Sequence, residues 1–422
     1  MYKNRCIDKK IKSLLNVIGA VNIKGIKGCG KTTTAFHFSK SQLYLQDPYK
    51  RDIYQLQIKT ELRDFLDKTP PLLIDEWQEA PVLWDAVRFE VDKRSKPGQF
   101  ILTASTSLID SKNSEIKHSG IGRIAKIEML TMSLYESGDS NGSISLANLF
   151  ENKYDFKSSE SNVTVERLAY LICIGGWPSA IYQNNLDDSL LISKNYYNGL
   201  IDEDMQKYDG IKRDKELCKD ILASLARNIS TSVNTTTITK DVIANNKSSE
   251  VTIESYISVL KRLYIIMNIE SWRYQLRSST AIRQTSTRYF TDPSIATSAL
   301  GITPEKLLND FNTFGLFFEN LCVRDLTIYA NSIDANIYKY QDRYGLEIDS
   351  IIELQDDTWG AFEIKLGEKE FEKAAKNLNT LNSLMIEKKK KPASFLAILT
   401  GTKFAYKRDD GVLVIPIGCL KD

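Results

Sequence analysis

The segment from Gly25 to Thr32 reads G-x-x-x-x-G-K-T, and this spacing constrains the fold more than any other feature of the 422 residues. It follows a short apolar run, Val17 to Ile23, which predicts a β-strand, and it precedes a predicted helix from Thr33 to Ser39. Glycines let backbone N–H groups close around an anion, and the helix directs its positive end toward the same anion. The pattern therefore predicts a phosphate-binding loop.

Individual positions of this loop have expected roles. Lys31 is expected to reach the β- and γ-phosphates of ATP, which also makes it a candidate catalytic residue, and the Thr32 hydroxyl is expected to hold Mg²⁺. The predicted cofactors are thus ATP and Mg²⁺. The residues predicted to contact the nucleotide from this loop are Gly25, Gly28, Cys29, Gly30, Lys31, Thr32 and Thr33.

A second apolar segment supplies two carboxylates. Leu72, Leu73 and Ile74 predict a buried parallel strand, and Asp75 and Glu76 follow at its carboxyl end, where α/β sheets bind ligands. Asp75 is expected to hold Mg²⁺, directly or through water, and Glu76 to polarise the attacking water as general base. Because the second acid favours hydrolysis over transfer to another acceptor, the sequence predicts an ATPase.

Three further residues are candidates for the nucleotide site, each with an alternative. A strand is predicted from Gln99 to Thr103. At its end, Thr103 and Ser105 would either sense the γ-phosphate or act as ordinary hydroxyl caps of a βα turn. Arg123 lies in a glycine-flanked loop, where it would either stabilise transition-state charge in the site of a neighbouring subunit or form a surface ion pair. The first role for Arg123 would require a homo-oligomer.

These segments resemble a large prokaryotic family of AAA-superfamily ATPases. The similarity lies in GIKGCGKTTTA, LLIDEWQEAPVLWDAVRFEVD, GQFILTAST, HSGIGRI and MSLYESGDS, and later in GGWP and the carboxyl-terminal third, so that it covers essentially the whole chain. The resemblance implies ATP binding, a helical lid, a winged-helix-like middle and a carboxyl-terminal domain resembling PD-(D/E)XK nucleases. The predicted fold class is α/β, with a P-loop ATPase domain at 1–136, a lid at 145–210, a winged-helix-like module at 211–284 and a nuclease-like domain at 285–422.

The middle of the chain carries helical patterns on both sides of GGWP, from Val165 to Cys173 and from Leu190 to Met205, which fits a lid. Three more helical patterns and a strand follow in the order of a winged helix, with Thr252 as the expected N-cap of the third helix. Basic residues near the end of that helix would meet phosphates if it enters a DNA groove. The alternative is a winged helix that serves only packing or protein contact.

The carboxyl-terminal third contains a candidate metal-dependent site. Two consecutive strands are predicted between residues 347 and 366, and Glu363 and Lys365 share a face of the second because strand side chains alternate. Asp349 lies on the first strand and can lie beside them, so Asp349 and Glu363 would bind Mg²⁺ while Lys365 orients or deprotonates the water. Glu319, on an upstream helix, would add a metal ligand. The alternative is an exposed polar face of a hairpin, with Lys365 paired to Glu363.

Composition limits the partners, the metal sites and the cellular compartment that we expect for this protein. The formal net charge is +2, so no global field draws the chain to DNA or anionic lipid, and DNA contact would need local patches. Six cysteines stand far apart, and with two histidines in the chain a zinc site is not expected. The start of the sequence lacks a signal-peptide pattern, and no window approaches the ~20 continuous apolar residues that span a membrane. We therefore expect a cytoplasmic protein.

The leading hypothesis is Mg²⁺-dependent ATP binding, with hydrolysis switching a DNA-acting, nuclease-like carboxyl-terminal domain. DNA is then the expected partner of the carboxyl-terminal and winged-helix-like domains. The alternative hypothesis is a nucleotide-dependent binding or regulatory switch whose carboxyl-terminal domain is catalytically inactive.

Overall fold

A computed structural model of the chain describes residues 2–107, 116–156, 159–232, 234–243, 248–273 and 286–422. Its first part alternates strands and helices in the order of a parallel α/β sheet. The strands are β1 (Ala20–Lys24), β2 (Ser41–Tyr44), β3 (Leu72–Asp75), β4 (Phe100–Ala104) and β5 (Ile124–Glu128). The helices are α1 (Asp8–Val17), α2 (Lys31–Phe38), α3 (Arg51–Thr60), α4 (Leu62–Leu66) and α5 (Val82–Arg94).

The strands pair in parallel in the order β2-β3-β4-β1-β5, which confirms the predicted parallel sheet. Both faces are apolar because helices cover both sides. Val21 and Ile23 belong to the core on the α2 side, while Leu72 and Leu102 pack with α5 on the other. Since the carboxyl ends of parallel strands meet at one edge, the loop after β1 lies beside the acids after β3.

The first strand begins later than its apolar run suggests. Val17 ends α1 and is 73% exposed, and β1 begins only at Ala20. α1 buries Ile11 in the core, packs the half-buried Leu14 and Leu15 against it and leaves Asn16 and Val17 exposed. The predicted strand from Val17 is therefore wrong at its amino end, because the apolar run spans a helix end, a turn and a strand.

The next part is mainly helical. Its elements are α6 (Leu134–Ser137), β6 (Ile144–Ser145), α7 (Leu146–Phe150), α8 (Val165–Ile174), α9 (Pro178–Ile181), α10 (Leu186–Gly199) and α11 (Met205–Lys207). Helices flank GGWP on both sides, as the pattern predicts, although α10 ends at Gly199 and a π-helical turn, Leu200–Asp204, separates it from α11. The function of this part as a lid stays a prediction.

Three helices and an antiparallel strand pair follow: α12 (Lys215–Arg227), α13 (Thr235–Ile243), α14 (Glu250–Arg262), β7 (Ile266–Ile269) and β8 (Thr287–Phe290). The N-cap of α14 is Ser249, whose hydroxyl accepts a hydrogen bond from the Thr252 N–H at 3.2 Å. The prediction of Thr252 as N-cap is wrong because an equally good cap stands three residues earlier. The winged-helix assignment of this part stays a prediction.

The carboxyl-terminal part forms a second sheet. Its helices are α15 (Pro293–Ala299), α16 (Pro304–Asn309), α17 (Phe311–Ser332) and α18 (Phe371–Glu387). Its strands are β9 (Asn336–Gln341), β10 (Glu347–Glu353), β11 (Trp359–Lys365), β12 (Phe395–Thr400), β13 (Tyr406–Lys407), β14 (Leu413–Pro416) and β15 (Leu420–Lys421). The sheet order is β13-β14-β12-β11-β10-β9; the β9-β10-β11 and β13-β14 pairs are antiparallel, and β11-β12-β14 are parallel.

One apolar core joins these parts. Ile23 of the first sheet, Ile172 of α8, Leu225 of α12, Phe318 of α17 and Phe362 of β11 all belong to it. This core runs across the domain limits expected from the sequence, and those limits stay predictions. The six cysteines are buried free thiols. In the ranges that the structure describes, no helix has both the length and the apolar character needed to cross a bilayer.

Candidate functional site

The glycine-rich loop between β1 and α2 forms one wall of a cavity of about 770 Å³. Gly25 has a φ of 150°, and a Cβ on it would lie 2.1 Å from the carbonyl oxygen of Met129. Gly30, directly before α2, has a φ of 102°. Glycine alone adopts these conformations without strain, which explains its two positions in the loop. The loop residues that line the cavity are Lys27, Gly28, Gly30, Lys31, Thr32 and Thr33.

Lys31 and Thr32 begin α2 and meet the groups that surround the cavity. The buried Lys31 ammonium donates a hydrogen bond to the carbonyl oxygen of Ile26 at 2.9 Å, so it lies inside the curve of the loop. The Thr32 hydroxyl donates to Oδ1 of Asp75 at 2.7 Å. The two residues predicted to hold Mg²⁺ are therefore in direct contact at the sheet edge.

The acids after β3 are held by β4 and the turn that follows it. Thr103 accepts a hydrogen bond from the N–H of Glu76 at 2.9 Å and donates one to Oδ1 of Asp75 at 2.7 Å. The Glu76 carboxylate accepts hydrogen bonds from the Ser105 hydroxyl, the Ser105 N–H and the Gln78 side-chain amide. Donors on β4, on the turn after β4 and on the turn after β3 therefore fix the orientation of the two carboxylates.

Backbone conformation and burial both perturb these two acids. Glu76 has a φ of 56°, a left-handed conformation that costs a residue with a long side chain roughly 1–3 kcal/mol. Burial raises the pKa of the Asp75 carboxyl above its usual value, against the opposing hydrogen bonds from Thr103 and Thr32. A cation beside Asp75 would offset this burial by stabilising the charged carboxylate.

Three residues that we expected to contact the nucleotide lie behind the cavity wall. Thr103 is fully buried, and its hydroxyl is hydrogen-bonded to the Glu76 N–H and to the Asp75 carboxylate, while its role as a sensor of the γ-phosphate stays a prediction. Cys29 is also fully buried, with its thiol donating to the carbonyl of Met129 at 3.4 Å. Gly25 packs against the same carbonyl. Ser105, in contrast, lines the cavity.

Residues between α8 and α11 close the other side of the cavity and were not found from the sequence. Asp204, the last residue of the π-helical turn, lines the cavity and accepts a hydrogen bond from the Lys27 ammonium at 3.0 Å. Behind it, Trp177 of GGWP stacks on Tyr196 at 3.9 Å between ring centroids. No local pattern marks Asp204, because its role depends on packing between segments that are distant in the chain.

Arg5 was also missed, although it supports the loop from behind. This buried side chain donates to the carbonyl of Cys29 at 2.8 Å and to the carbonyls of Leu130 and Thr131 at 2.9 and 3.2 Å. It also forms an ion pair with Glu136 at 3.0 Å. Arg5 thereby ties the glycine-rich loop to the chain that leaves β5.

Arg123 lies at the opposite edge of the sheet from the glycine-rich loop. Its carbonyl accepts a hydrogen bond from the N–H of Ala20, at the amino end of β1, whereas the loop follows the carboxyl end. A five-residue strand such as β1 is roughly 13 Å long. The half-exposed guanidinium pairs with Asp92 at 2.8 Å. Arg123 therefore cannot serve the site of its own chain.

The carboxyl-terminal candidates meet where β10 pairs with β11. The register aligns Ser350 with Phe362, which brings Asp349 beside Glu363. The Lys365 ammonium lies 3.0 Å from Asp349 Oδ2 and 2.7 Å from Glu363 Oε2. Glu363 is only 2% exposed because α17 and α18 cover this sheet, so the exposed hairpin face of the alternative is wrong, whereas the pairing of Lys365 with Glu363 that it predicted is present.

The electrostatics of this cluster follow from burial and from its lysine. Burial, together with the nearby charge of Asp349, raises the pKa of Glu363 to about 8. Although burial favours the neutral form of Asp349, Lys365 and Lys339 hold its pKa below the usual range. Burial likewise opposes the charge on Lys365, yet the two carboxylates keep its pKa above the ordinary value. The two lysines therefore stabilise the charged form of Asp349 in particular.

Glu319 lies at the edge of this cluster with different partners. It accepts a hydrogen bond from the hydroxyl of Tyr289 at 2.7 Å, and its carboxylate lies 3.6 Å from the ammonium of Lys339. Burial raises the pKa of Glu319 to about 7, with Asp349 adding to the effect. Lys339 and Tyr289, which sequence reasoning missed, thus belong to the cluster.

The predicted metal set of Glu319, Asp349 and Glu363 is not assembled in this arrangement. Across the described ranges, no three His, Cys, Asp or Glu side chains converge as metal ligands do. The physical reason is that Lys365 lies between Asp349 and Glu363, while Glu319 turns to Lys339. The Lys365 ammonium therefore lies between the two carboxyl groups, where a divalent cation was expected.

Family comparisons divide the chain into three matched ranges. Residues 19–137 match the model of an AAA domain. Residues 165–306 and 314–420 match two families that are each described only as a domain of unknown function, DUF8612 and DUF4143. No curated protein matches the chain. The chain therefore contains an AAA-type P-loop nucleotide-binding domain, whereas the PD-(D/E)XK-like assignment stays a prediction.

Several solved structures resemble the chain weakly. The replication initiator DnaA bound to AMPPCP and single-stranded DNA is 15% identical, with a TM-score of 0.27 over 61% of this chain and 86% of that chain. AMPPCP-bound DnaA from Aquifex aeolicus is 14% identical, with a TM-score of 0.25 over 60% and 86%. Drosophila ORC bound to DNA is 11% identical, with a TM-score of 0.23 over 71% and 96%. Scores of this size carry no conclusion about the present chain.

Proposed function

We propose that this protein is a Mg²⁺-dependent ATPase whose nucleotide cycle controls a DNA-acting carboxyl-terminal domain. The observation that carries the proposal is the 2.7 Å contact between the Thr32 hydroxyl and the Asp75 carboxylate, beside a glycine-rich loop that closes around Lys31. Hydroxyl and carboxylate oxygens are ligands of Mg²⁺, which commonly takes one or two protein ligands together with phosphates and water. The residues present therefore fit a Mg²⁺–ATP complex.

Hydrolysis in this site would divide the work among a few groups. Bound Mg²⁺ would neutralise charge on the phosphate oxygens. Lys31 exchanges its bond to the Ile26 carbonyl for one to a phosphate oxygen, and the N–H groups of the loop take up further charge. Glu76 accepts the proton of the attacking water, and Ser105 and Gln78 hold its carboxylate at the cavity wall.

Replacing Glu76 by Gln tests the hydrolytic step. The variant keeps the shape of the side chain but removes its basicity, so ATP turnover should fall by about 100-fold or more while ATP affinity is retained. Glu79→Gln is the matched control, because Glu79 lines the same cavity and its carboxylate accepts a hydrogen bond from the Gln46 side chain and not from Ser105 or Gln78. Unchanged turnover in Glu76→Gln would refute this mechanism, and no ATP binding in calorimetry would refute the whole proposal.

A second copy of the chain would supply Arg123 in this proposal. Because Arg123 lies at the opposite sheet edge from its own loop, it would exchange Asp92 for phosphate only in a neighbouring site. An inactive Arg123→Ala variant mixed with inactive Glu76→Gln should regain part of the ATP turnover, since some interfaces then combine an intact base with an intact arginine. Full activity of Arg123→Ala alone would exclude this role.

The carboxyl-terminal cluster is the proposed output of the cycle. Burying two carboxyl groups and a lysine, Asp349, Glu363 and Lys365, in the core of a sheet costs free energy of desolvation, so the presence of this group supports a functional role. Purified protein with plasmid DNA and Mg²⁺ or Mn²⁺, with and without ATP, tests cleavage directly. Lys365→Ala should abolish cutting, and Lys369→Ala, which changes an exposed lysine nearby, should not.

A second candidate function follows from the ion pairing and burial of this cluster. Lys365 lies within 3.0 Å of both carboxylates, and Glu363 is almost inaccessible to solvent. Such a cluster also suits a domain that binds DNA or protein under nucleotide control without cutting it. This candidate predicts no cleavage under any condition, together with DNA binding that differs between the ADP and ATP states.

A further inference from the structure

A second cavity, of about 310 Å³, lies next to the nucleotide cavity, and its lining includes Thr106 and Ser107 of that site. It opens on the α5 side of the first sheet. Val21 and Ile23 face the core on the α2 side, and because side chains alternate along a strand, Asn22 between them points to the α5 side. The residues that define it are Asn22, Lys24, Trp77, Trp84, Lys126 and Tyr264.

Two polar atoms in this lining are buried without a hydrogen-bond partner among the residues that the structure describes. Within those residues, Oδ1 of Asn22 and Nε1 of Trp77 make no hydrogen bond, although the two side chains belong to residues that are only 5% and 6% exposed. Trp84 beside them is satisfied, since its Nε1 donates to the carbonyl of His118 at 3.0 Å. A buried acceptor and donor left unpaired are unfavourable, so their presence in one cavity indicates that something else pairs with them.

Positive charge borders the same unpaired acceptor. The register of β1 and β5 sets Asn22 directly beside Lys126. Lys126 lies over the ring of Trp84 at 5.1 Å and forms no ion pair with any residue of the described ranges. Lys24 lies over Tyr264 at 5.6 Å and pairs only loosely with Glu128, at 3.4 Å and with both side chains about a third exposed. The cavity mouth can therefore attract an anion.

We propose that this cavity binds a small anionic heterocycle, of the class of a nucleoside monophosphate, as a ligand separate from ATP. Such a ligand carries a hydrogen-bond donor for Asn22, an acceptor for the indole N–H of Trp77, and a negative group for Lys126. The volume lies at the lower end of the roughly 300–1,000 Å³ range of ligand pockets, which suits a single small nucleotide and not a larger ligand. Trp77 directly follows Glu76, so an occupant of this cavity would lie next to the hydrolytic turn.

The test uses the full chain saturated with Mg²⁺ and ADP, so that the nucleotide cavity is filled. AMP, GMP, CMP and UMP are then titrated separately, with intrinsic tryptophan fluorescence and calorimetry as readouts. At least one should bind and change the emission, because Trp77 and Trp84 line the cavity. Asn22→Leu and Lys126→Gln should each weaken that binding by about tenfold or more. Lys12→Gln, which changes an exposed lysine of α1, should leave it unchanged.

Several results would overturn the proposal while leaving ATP binding intact. If no monophosphate binds to the ADP-saturated protein, or if the binding is insensitive to both substitutions, the cavity is not this site. If Asn22→Leu only raises the thermal stability of the unliganded chain, the unpaired atoms are served by water. If an oligo(dT) strand binds through these residues and the monophosphates do not, the cavity accepts a polymer and not a small molecule. A failure of ADP to bind would instead contradict the proposed function.

Discussion

Replacing Arg324 by Met should destabilise the protein strongly, because it leaves two buried carboxylates without their cation. The guanidinium is 1% exposed, lies 2.8 Å from Oδ1 of Asp325 and 3.3 Å from Oδ2 of Asp292, and both acids are fully buried. Met retains an unbranched apolar side chain, although it is shorter than Arg, so most of the expected loss is electrostatic. Removing one partner of a buried ion pair typically costs about 3–5 kcal/mol, and we expect a loss in that range.

The structure also predicts which second change restores stability. Oδ2 of Asp325 accepts a hydrogen bond from the N–H of Leu134 at 2.9 Å, which an asparagine oxygen can also accept. Arg324→Met combined with Asp325→Asn removes one uncompensated charge and keeps this bond. The double variant should therefore unfold at a higher denaturant concentration than Arg324→Met alone.

Denaturant unfolding followed by far-ultraviolet circular dichroism measures these differences as shifts of the midpoint. Arg167→Met is the matched control, since Arg167 pairs with Asp139 at 2.8 Å while 37% exposed. Such a pair is worth about 0.2–1 kcal/mol. The reasoning about the buried charge is wrong if Arg324→Met lowers the unfolding free energy by no more than Arg167→Met does. It is also wrong if the double variant is less stable than Arg324→Met alone.

Two further predictions concern Asp204, which lines the nucleotide cavity, and Gly175 of the GGWP segment. Asp204→Asn should tighten ATP binding by about two- to fivefold in calorimetry, because it removes a negative charge from a cavity that receives phosphates. Weaker binding would contradict this and would mean that the Lys27–Asp204 ion pair supports the glycine-rich loop. Gly175→Ala should lower the unfolding free energy by more than about 2 kcal/mol, since Gly175 has a φ of 71° and a Cβ would lie 2.2 Å from Asp292 Oδ1. The control is Gly301→Ala, where φ is also positive but nothing crowds the added Cβ; equal losses would contradict the steric argument.

The nucleotide site could be predicted largely from local sequence, because its chemistry follows directly after strands. The glycine spacing before Lys31 and the acid pair after Ile74 are short patterns, and a parallel sheet brings the ends of its strands to one edge. The role of Thr103 could not be read in this way. Its hydroxyl faces the acids of a neighbouring strand, and strand order is not encoded by the spacing within one strand.

The carboxyl-terminal cluster shows a different limit. Alternation along the strands correctly put Glu363 and Lys365 on one face and Asp349 beside them. It could not show whether that face is exposed, because burial depends on where α17 and α18 pack. Lys339 was missed for the same reason, since its contact with Glu319 depends on how β9 packs against α17, the helix directly before it.

A chain of polar contacts connects the glycine-rich loop with the carboxyl-terminal cluster. Arg5 joins the carbonyl of Cys29 to that of Thr131, and the Thr131 hydroxyl donates to Asp292 at 2.7 Å. Asp292 also accepts a hydrogen bond from the N–H of Gly176 and pairs with Arg324 on α17.

Helix α17 then carries this connection into the second sheet. Glu319 precedes Arg324 by five positions on the same helix, a distance of roughly 7.5 Å along its axis. Because a buried helix moves as a unit and does not absorb displacement by bending, a shift at Arg324 would also move Glu319 against Lys339 and Asp349. Coupling between nucleotide and the cluster therefore requires no hinge within α17. It requires only that the contacts of Asp292 have two arrangements, which is the condition that a switch in this protein must meet.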